Sequence, residues 1–300
     1  MVVARLSGTK TRALVVGLAV IAAAIGVTPG VAGATWSLVA VDPETGEVGV
    51  AIASCVDGTI LGNPDEPMVP VVLIAGQAAA VSQAQLNLEA PDRIRHLVAA
   101  GVGPADIVAE LVSPRFDELA SLRQHAVVDR SGVAWAYTGE DNPDEAFDTQ
   151  ADGVSVQGNT LTSREVVDNS LAAFNDAMGQ GVGLDGALVQ GLVAGSVAGG
   201  DRRCGDQTAL FAQLSVVSPD QGLDDVQLLT VLAGTDGATN PVIELADAFS
   251  QGSSGVIDLR PRSSSGPIVL AVTAIIGLVG LIGGLLLFRR GLGSVRARRS

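Results

Sequence analysis

The order of elements in this chain predicts a layered α+β domain rather than a doubly wound parallel sheet. Three observations carry that reading: an alternating hairpin opens the domain, two pairs of helical patterns interrupt the later strands, and no segment repeats. Thr35 to Val41 alternates, Asp42 to Gly46 is a turn, and Val48 to Ser54 alternates again. Strand-like runs follow at Val69 to Ala75, Ala78 to Ser82, Ala126 to Asp129, Val133 to Thr138 and Gly153 to Gln157. Pro91 to Gly101 and Pro104 to Val112 place apolar residues at helical spacing, each opened by a proline closely followed by an acid. Leu161 to Met178 and Leu184 to Val197 read as a second helical pair. Strands at Ala209 to Ser215 and Val226 to Val231, then a helix from Pro241 to Phe249, close the domain. A four-layer αββα sandwich, two sheets with helices on both outer faces, accommodates this order.

The two ends carry a different signal. Arg5, Lys10 and Arg12 accompany an apolar stretch from Ala13 to Val27, and Pro29-Gly30 leads to the small residues Ala32-Gly33-Ala34. These are the parts of an export signal in order. Residues 1–34 are expected to be a signal peptide cut after Ala34, with a cut after Ala32 or an uncleaved anchor as alternatives. Residues 35–250 then form the domain and 251–267 a Ser/Gly-rich linker. Residues 268–288 are an uncharged apolar run long enough for a transmembrane helix, and 289–300 a tail with five arginines. The expected topology is a domain outside the cytoplasm, tethered to the cell membrane, with the basic tail inside.

All 32 acidic residues lie between the two apolar segments, against ten of the 18 basic ones, a formal charge near −22. That charge argues against nucleic acid and anionic lipid surfaces as partners. Lys10 is the only lysine, so the domain has no lysine for a phosphate loop or a Schiff base. Cys55 and Cys204 are the only cysteines. In an oxidising compartment they form a disulfide or stay as two buried thiols. A nucleophilic Cys55 would lack an evident base. Neither metal nor cofactor is expected, because His96, His125, Cys55 and Cys204 show no ligand spacing. Strand geometry places His125 and Asp129 on one face about 13 Å apart, too far for a Ser-His-Asp site, and His125 reads as structural.

Several stretches in sequence order resemble a known family: Thr35 to Ser54, Val127-Val-Asp-Arg-Ser-Gly132, Tyr137-Thr-Gly139, Val156-Gln-Gly-Asn159 and Ala198-Gly-Gly-Asp-Arg-Arg203. Together they are similar to the bacterial domain-of-unknown-function family 1028, which is grouped by fold with the N-terminal nucleophile hydrolases. The resemblance runs from Thr35 to about Phe249. It implies the αββα sandwich of that group, a first residue at Thr35, and small amides or peptides as substrate class. Asp57 to Val69 and Gln83 to Ala90 depart from the family, and Cys204 stands where glycine is common.

A threonine that becomes the first residue carries nucleophile and base together, since its hydroxyl can be activated by its own amine. That amine has an ordinary pKa of about 7.7 to 8. The other reading of Thr35 is a β-branched strand residue. Asn159 is either a turn or cap residue or, with Gly158 and local N–H groups, part of an oxyanion hole. Asp201, Arg202 and Arg203 are either a solvated loop cluster or a group that orients the amine and binds a substrate carboxylate. Ser54 ends the second strand beside Thr35, where it can hydrogen-bond the nucleophile or simply end the strand. The expected function is an N-terminal-threonine amidohydrolase; the alternative is a binding or scaffold domain that keeps the fold without chemistry.

Overall fold

Two sheets carry residues 32–33, 35–143, 145–222 and 225–260, the parts of the chain that the computed structural model describes. The strands are β1 (Ala32–Gly33), β2 (Thr35–Val41), β3 (Val48–Ser54), β4 (Val71–Ile74), β5 (Ala78–Gln85), β6 (Arg123–Asp129), β7 (Ala134–Thr138), β8 (Phe147–Ala151), β9 (Val154–Asn159), β10 (Phe211–Val217), β11 (Gln227–Leu232) and β12 (Gly255–Asp258). The first sheet runs β1-β5-β6-β7, with β4 also on β5. The second runs β12-β11-β10-β3-β2-β9-β8. Only β11 and β12 pair in parallel among the described strands. The chain divides into two units, Met1–Leu259 and Arg260–Ser300, and every described element lies in the first.

Alternation along the strands sets the layers. Val39, Val50 and Ile52 of the second sheet meet Val81, Ala126 and Val128 of the first, forming the core between the sheets. On the outer face of the first sheet, Ala80 and Val127 pack on helices α1 (Ala90–Ala99) and α2 (Pro104–Leu111) through Ile94, Ile107 and Leu111. On the outer face of the second, Trp36, Leu38 and Val156 pack on α3 (Glu165–Gly179), α4 (Leu184–Val197) and α5 (Pro241–Ser250) through Phe174, Leu192 and Leu245. Helices α1, α2 and α5 each carry a proline and an acid in the first turn, where a missing N–H costs nothing and the helix dipole favours negative charge.

The side chain of Trp36 is fully buried and needs room that only glycine leaves. A Cβ at Gly195 would come within 2.7 Å of Trp36 Nε1, and one at Gly200 within 2.9 Å of its Cη2. Gly200 also adopts φ +54°, a conformation favourable to glycine. This notch anchors the residue after Thr35 and so holds the start of β2.

The expected fold class is corrected. The chain is a mixed α/β structure of two sheets and flanking helices, and among the described residues no helix is long and apolar enough to cross a membrane, against the expected C-terminal transmembrane helix. The longest described helix, α3, has 15 residues. At 1.5 Å per residue it spans about 22 Å, short of a hydrocarbon core of about 30 Å. Residues 268–288, on which that expectation fell, lie outside the described residues, as do the apolar stretch from Ala13 to Val27 and the basic tail. Strand β12 lies within the expected linker, a short run that parallel pairing with β11 recruits into the sheet. Strand β8 was not foreseen either; its half-buried Phe-Asp-Thr-Gln-Ala run has no apolar alternation to reveal it.

Candidate functional site

Thr35 stands at one end of the second sheet in a row of three. Its register partners are Ser54 on β3 and Asn159 on β9. Residues on these strands that fall in step with Thr35, such as Ser37, Ile52 and Gln157, face the first sheet, so Thr35, Ser54 and Asn159 share one face of the row. Thr35 is 3 % exposed. Its hydroxyl donates to Ser54 Oγ at 3.2 Å, and the same oxygen accepts Val56 N–H at 3.1 Å. The sequence expectation that Ser54 can hydrogen-bond the candidate nucleophile therefore matches a contact present in the molecule.

Below this row the space between the sheets is polar. Gln124 Oε1 accepts from Asn159 Nδ2 at 3.0 Å and from Gln83 Nε2 at 3.1 Å. Gln124 Nε2 donates to the Gly158 carbonyl at 2.8 Å and to Thr138 Oγ1 at 3.0 Å. Gln83 Nε2 also reaches the Thr35 carbonyl at 3.5 Å, and Gln83 Oε1 accepts from Ser37 Oγ at 2.7 Å. Gln157 Nε2 donates to Ser37 Oγ at 2.7 Å and to its carbonyl at 3.1 Å. Ser37, Gln83, Gln124, Gln157 and Asn159 are all buried, so these bonds are made out of water, where an unmade one costs most. The network pins the backbone on both sides of Thr35. Gln83 and Gln124 were missed by sequence reasoning; the available signal was a glutamine at an inward position of an otherwise apolar strand.

Asp201 is brought to the same sheet end by another route. It bridges Leu161, two residues beyond Asn159, and its carboxylate accepts Cys55 N–H at 2.8 Å, next to Ser54. Arg203 binds both oxygens of that carboxylate, through Nε at 3.1 Å and Nη2 at 2.8 Å, and through its own N–H at 3.0 Å. Asp201 is thus a clamp on the loop, and Cys55 and Cys204 form a disulfide across the same junction. Arg202 is exposed, with its N–H on the Thr160 carbonyl at 3.2 Å. Gly158 pairs with Trp36 and leaves space for that side chain and Leu161. All seven expected site residues fall at one end of the second sheet. Among the described residues no cluster of potential metal ligands occurs.

His125 points the other way, into the layer of α1 and α2. It is fully buried, it stacks on Tyr137 with ring centroids 6.4 Å apart, and neither ring nitrogen has a hydrogen-bond partner among the described residues. Burial pushes its pKa down to about 4, against the pull of the Asp117 carboxylate and with the push of Arg123. Asp117 loses solvation too, but bonds from Arg123, Asn87 and the Leu119 N–H outweigh that and hold its carboxyl below its ordinary range.

Residues 35–245 match the model of a family of unknown function, DUF1028. The chain belongs to this family. The DUF1028 match begins at Thr35, the residue at the centre of the row. A crystal structure of a DUF1028 protein from Silicibacter pomeroyi is similar, with a TM-score of 0.57 and 23 % identity over 74 % of this chain and 90 % of that one. At that identity the likeness concerns the fold. No curated protein matches the chain.

Proposed function

We propose that this DUF1028 protein is the precursor of an extracytoplasmic N-terminal-threonine amidohydrolase of the N-terminal nucleophile type, acting on small amides or peptides. The observation that carries this reading is the row Ser54–Thr35–Asn159, in which the Thr35 hydroxyl bonds Ser54 Oγ, centred on the residue where the family match begins. The signal-like start of the chain supports a cut before Thr35, and the Cys55–Cys204 disulfide supports an oxidising compartment. Once Thr35 is first, its Oγ attacks the amide carbonyl and its amine takes the hydroxyl proton, directly or through water. The amine then passes that proton to the departing nitrogen as the C–N bond breaks, and water cleaves the resulting ester to return free Thr35. Ser54 holds the hydroxyl before attack. Asn159 Nδ2 keeps a second hydrogen beyond the one given to Gln124, and that hydrogen is the donor for the oxyanion.

The test starts with the exported protein: its first residue is Thr35 by mass spectrometry, and it turns over acyl-amide libraries. Thr35→Ala should abolish turnover and labelling by an electrophile specific for N-terminal threonine, while Thr35→Ser keeps part of both. Asn159→Ala should lower kcat more than it raises KM, as expected for a bond that strengthens in the transition state. Turnover unchanged in Thr35→Ala rejects the mechanism. An inert wild-type protein with Thr35 first favours the binding-domain alternative, in which Gln124 and Arg203 hold Asn159 and Asp201 for structure alone.

A further inference from the structure

The strand just before Thr35 has a place of its own on the first sheet. Ala32 pairs with Gln85 and Gly33 with Ala84, antiparallel. The outer edge of β5 is thus shared: β4 covers Ala78–Val81, and β1 takes Ala84–Gln85. At the start of the stretch that β1 takes, Ala84 has φ +68°, a left-handed conformation that costs an alanine roughly 1–2 kcal/mol. Strain of that kind persists only where the surroundings impose it.

The edge is also braced from the other side. Arg123 Nη1 donates to the carbonyls of Gln85 at 2.7 Å and Leu86 at 3.3 Å, and the guanidinium is held by Asp117 in a buried ion pair at 2.9 Å. Gln83, one residue before Ala84, reaches the Thr35 carbonyl. None of these braces uses residues 32–34, so removal of that segment leaves a formed strand edge that ends beside Thr35.

We propose that this edge is the acyl-side subsite: it binds an extended peptide with small residues before the scissile amide, and Ala32-Gly33 occupies it as an internal stand-in until cleavage. This rests on the reading of Thr35 as the mature first residue. Antiparallel pairing supplies backbone hydrogen bonds in any sequence, one of the two facing pairs exchanging both N–H···O contacts. Selection for small residues follows from the occupant the edge already carries, and binding is blocked for as long as the leader is attached.

Amide hydrogen exchange at Ala84 and Gln85, resolved by NMR, tests the proposal. Three forms are compared: the full chain made without export, the chain beginning at Thr35, and the same shortened chain with Thr35→Ala. The leader-bearing chain should protect the amide that faces β1, and both shortened forms should exchange it at least about tenfold faster. Millimolar N-acetyl-Ala-Gly-Ala-amide should restore protection in both shortened forms and leave the full chain unchanged. N-acetyl-Pro-Pro-Pro-amide, which has no backbone N–H at any of its three residues, should not. Exchange that ignores leader removal overturns the proposal, as does equal protection by the proline peptide. Protection by the peptide with no turnover by the Thr35 form leaves the subsite standing and removes the catalytic reading; turnover without protection does the reverse.

Discussion

Gln124 and His125 are neighbours on β6, both fully buried, and their surroundings are opposite. Gln124 faces the second sheet and bonds Gln83, Thr138, Gly158 and Asn159. His125 faces the α1–α2 layer, with no hydrogen-bond partner for either nitrogen among the described residues, beside Ser82, whose hydroxyl has none among them either. The contrast separates two kinds of buried polarity. Toward Thr35, polar groups are satisfied and fix strand positions; toward the helices, they are tolerated at a cost in stability. Positioning belongs to the first face, and pH sensitivity to the second.

Gln124→Leu should break the first face. It removes the acceptor of the Asn159 amide and one partner each of the Gln83 amide and the Gly158 carbonyl, and each buried polar group left short of a partner costs about 1–3 kcal/mol. Chemical denaturation should show a loss of about 3 kcal/mol or more, and turnover, if present, should fall with it. A loss near zero would mean that water replaces the glutamine and that the network does not hold the row.

The second face should respond to acid. The unfolded chain binds a proton at position 125 near pH 6.5, whereas the folded chain resists it down to about 4. Stability is therefore full above about pH 6.5 and falls as pH drops toward 4, by about 3 kcal/mol over that window. Asp117, with its lowered folded pKa, adds a further loss only below its ordinary 3.8. His125→Leu should flatten the melting temperature between pH 6.5 and 4. A profile unchanged by that substitution would assign the acid response elsewhere.

Ser82→Ala should have the smallest effect and the opposite sign. Removing a buried hydroxyl that has no partner among the described residues should raise stability by about 1 kcal/mol, read as a small rise in the denaturation midpoint. A fall would show that Ser82 bonds something essential on the helix side.

The hairpin β2–β3, the helices with proline in the first turn and the place of Thr35 at a strand start were legible because each is a local pattern of alternation, capping or charge. Strand β8 and strand β12 were not, since their half-buried residues show little apolar alternation and their pairing partners supply the order. The candidate residues Thr35, Ser54, Asn159 and Asp201 could be named from motifs, but the clamp that Asp201 makes on Cys55 and Arg203 could not, and Gln83 and Gln124 were silent. Glutamine in a strand carries no mark of its role until a facing sheet supplies its partners.

The sequence by itself determined the acidic, lysine-free composition, the strand and helix periods and the two-cysteine count, because these depend on residues near one another or on sums over the chain. Only the tertiary structure decided that Ser54, Thr35 and Asn159 form one row, that Asp201 reaches Cys55 across 146 positions, and that Ala32–Gly33 lies on β5. Register between distant strands is set by packing of two faces at once, and a single-residue slip would turn every one of these side chains to the other face.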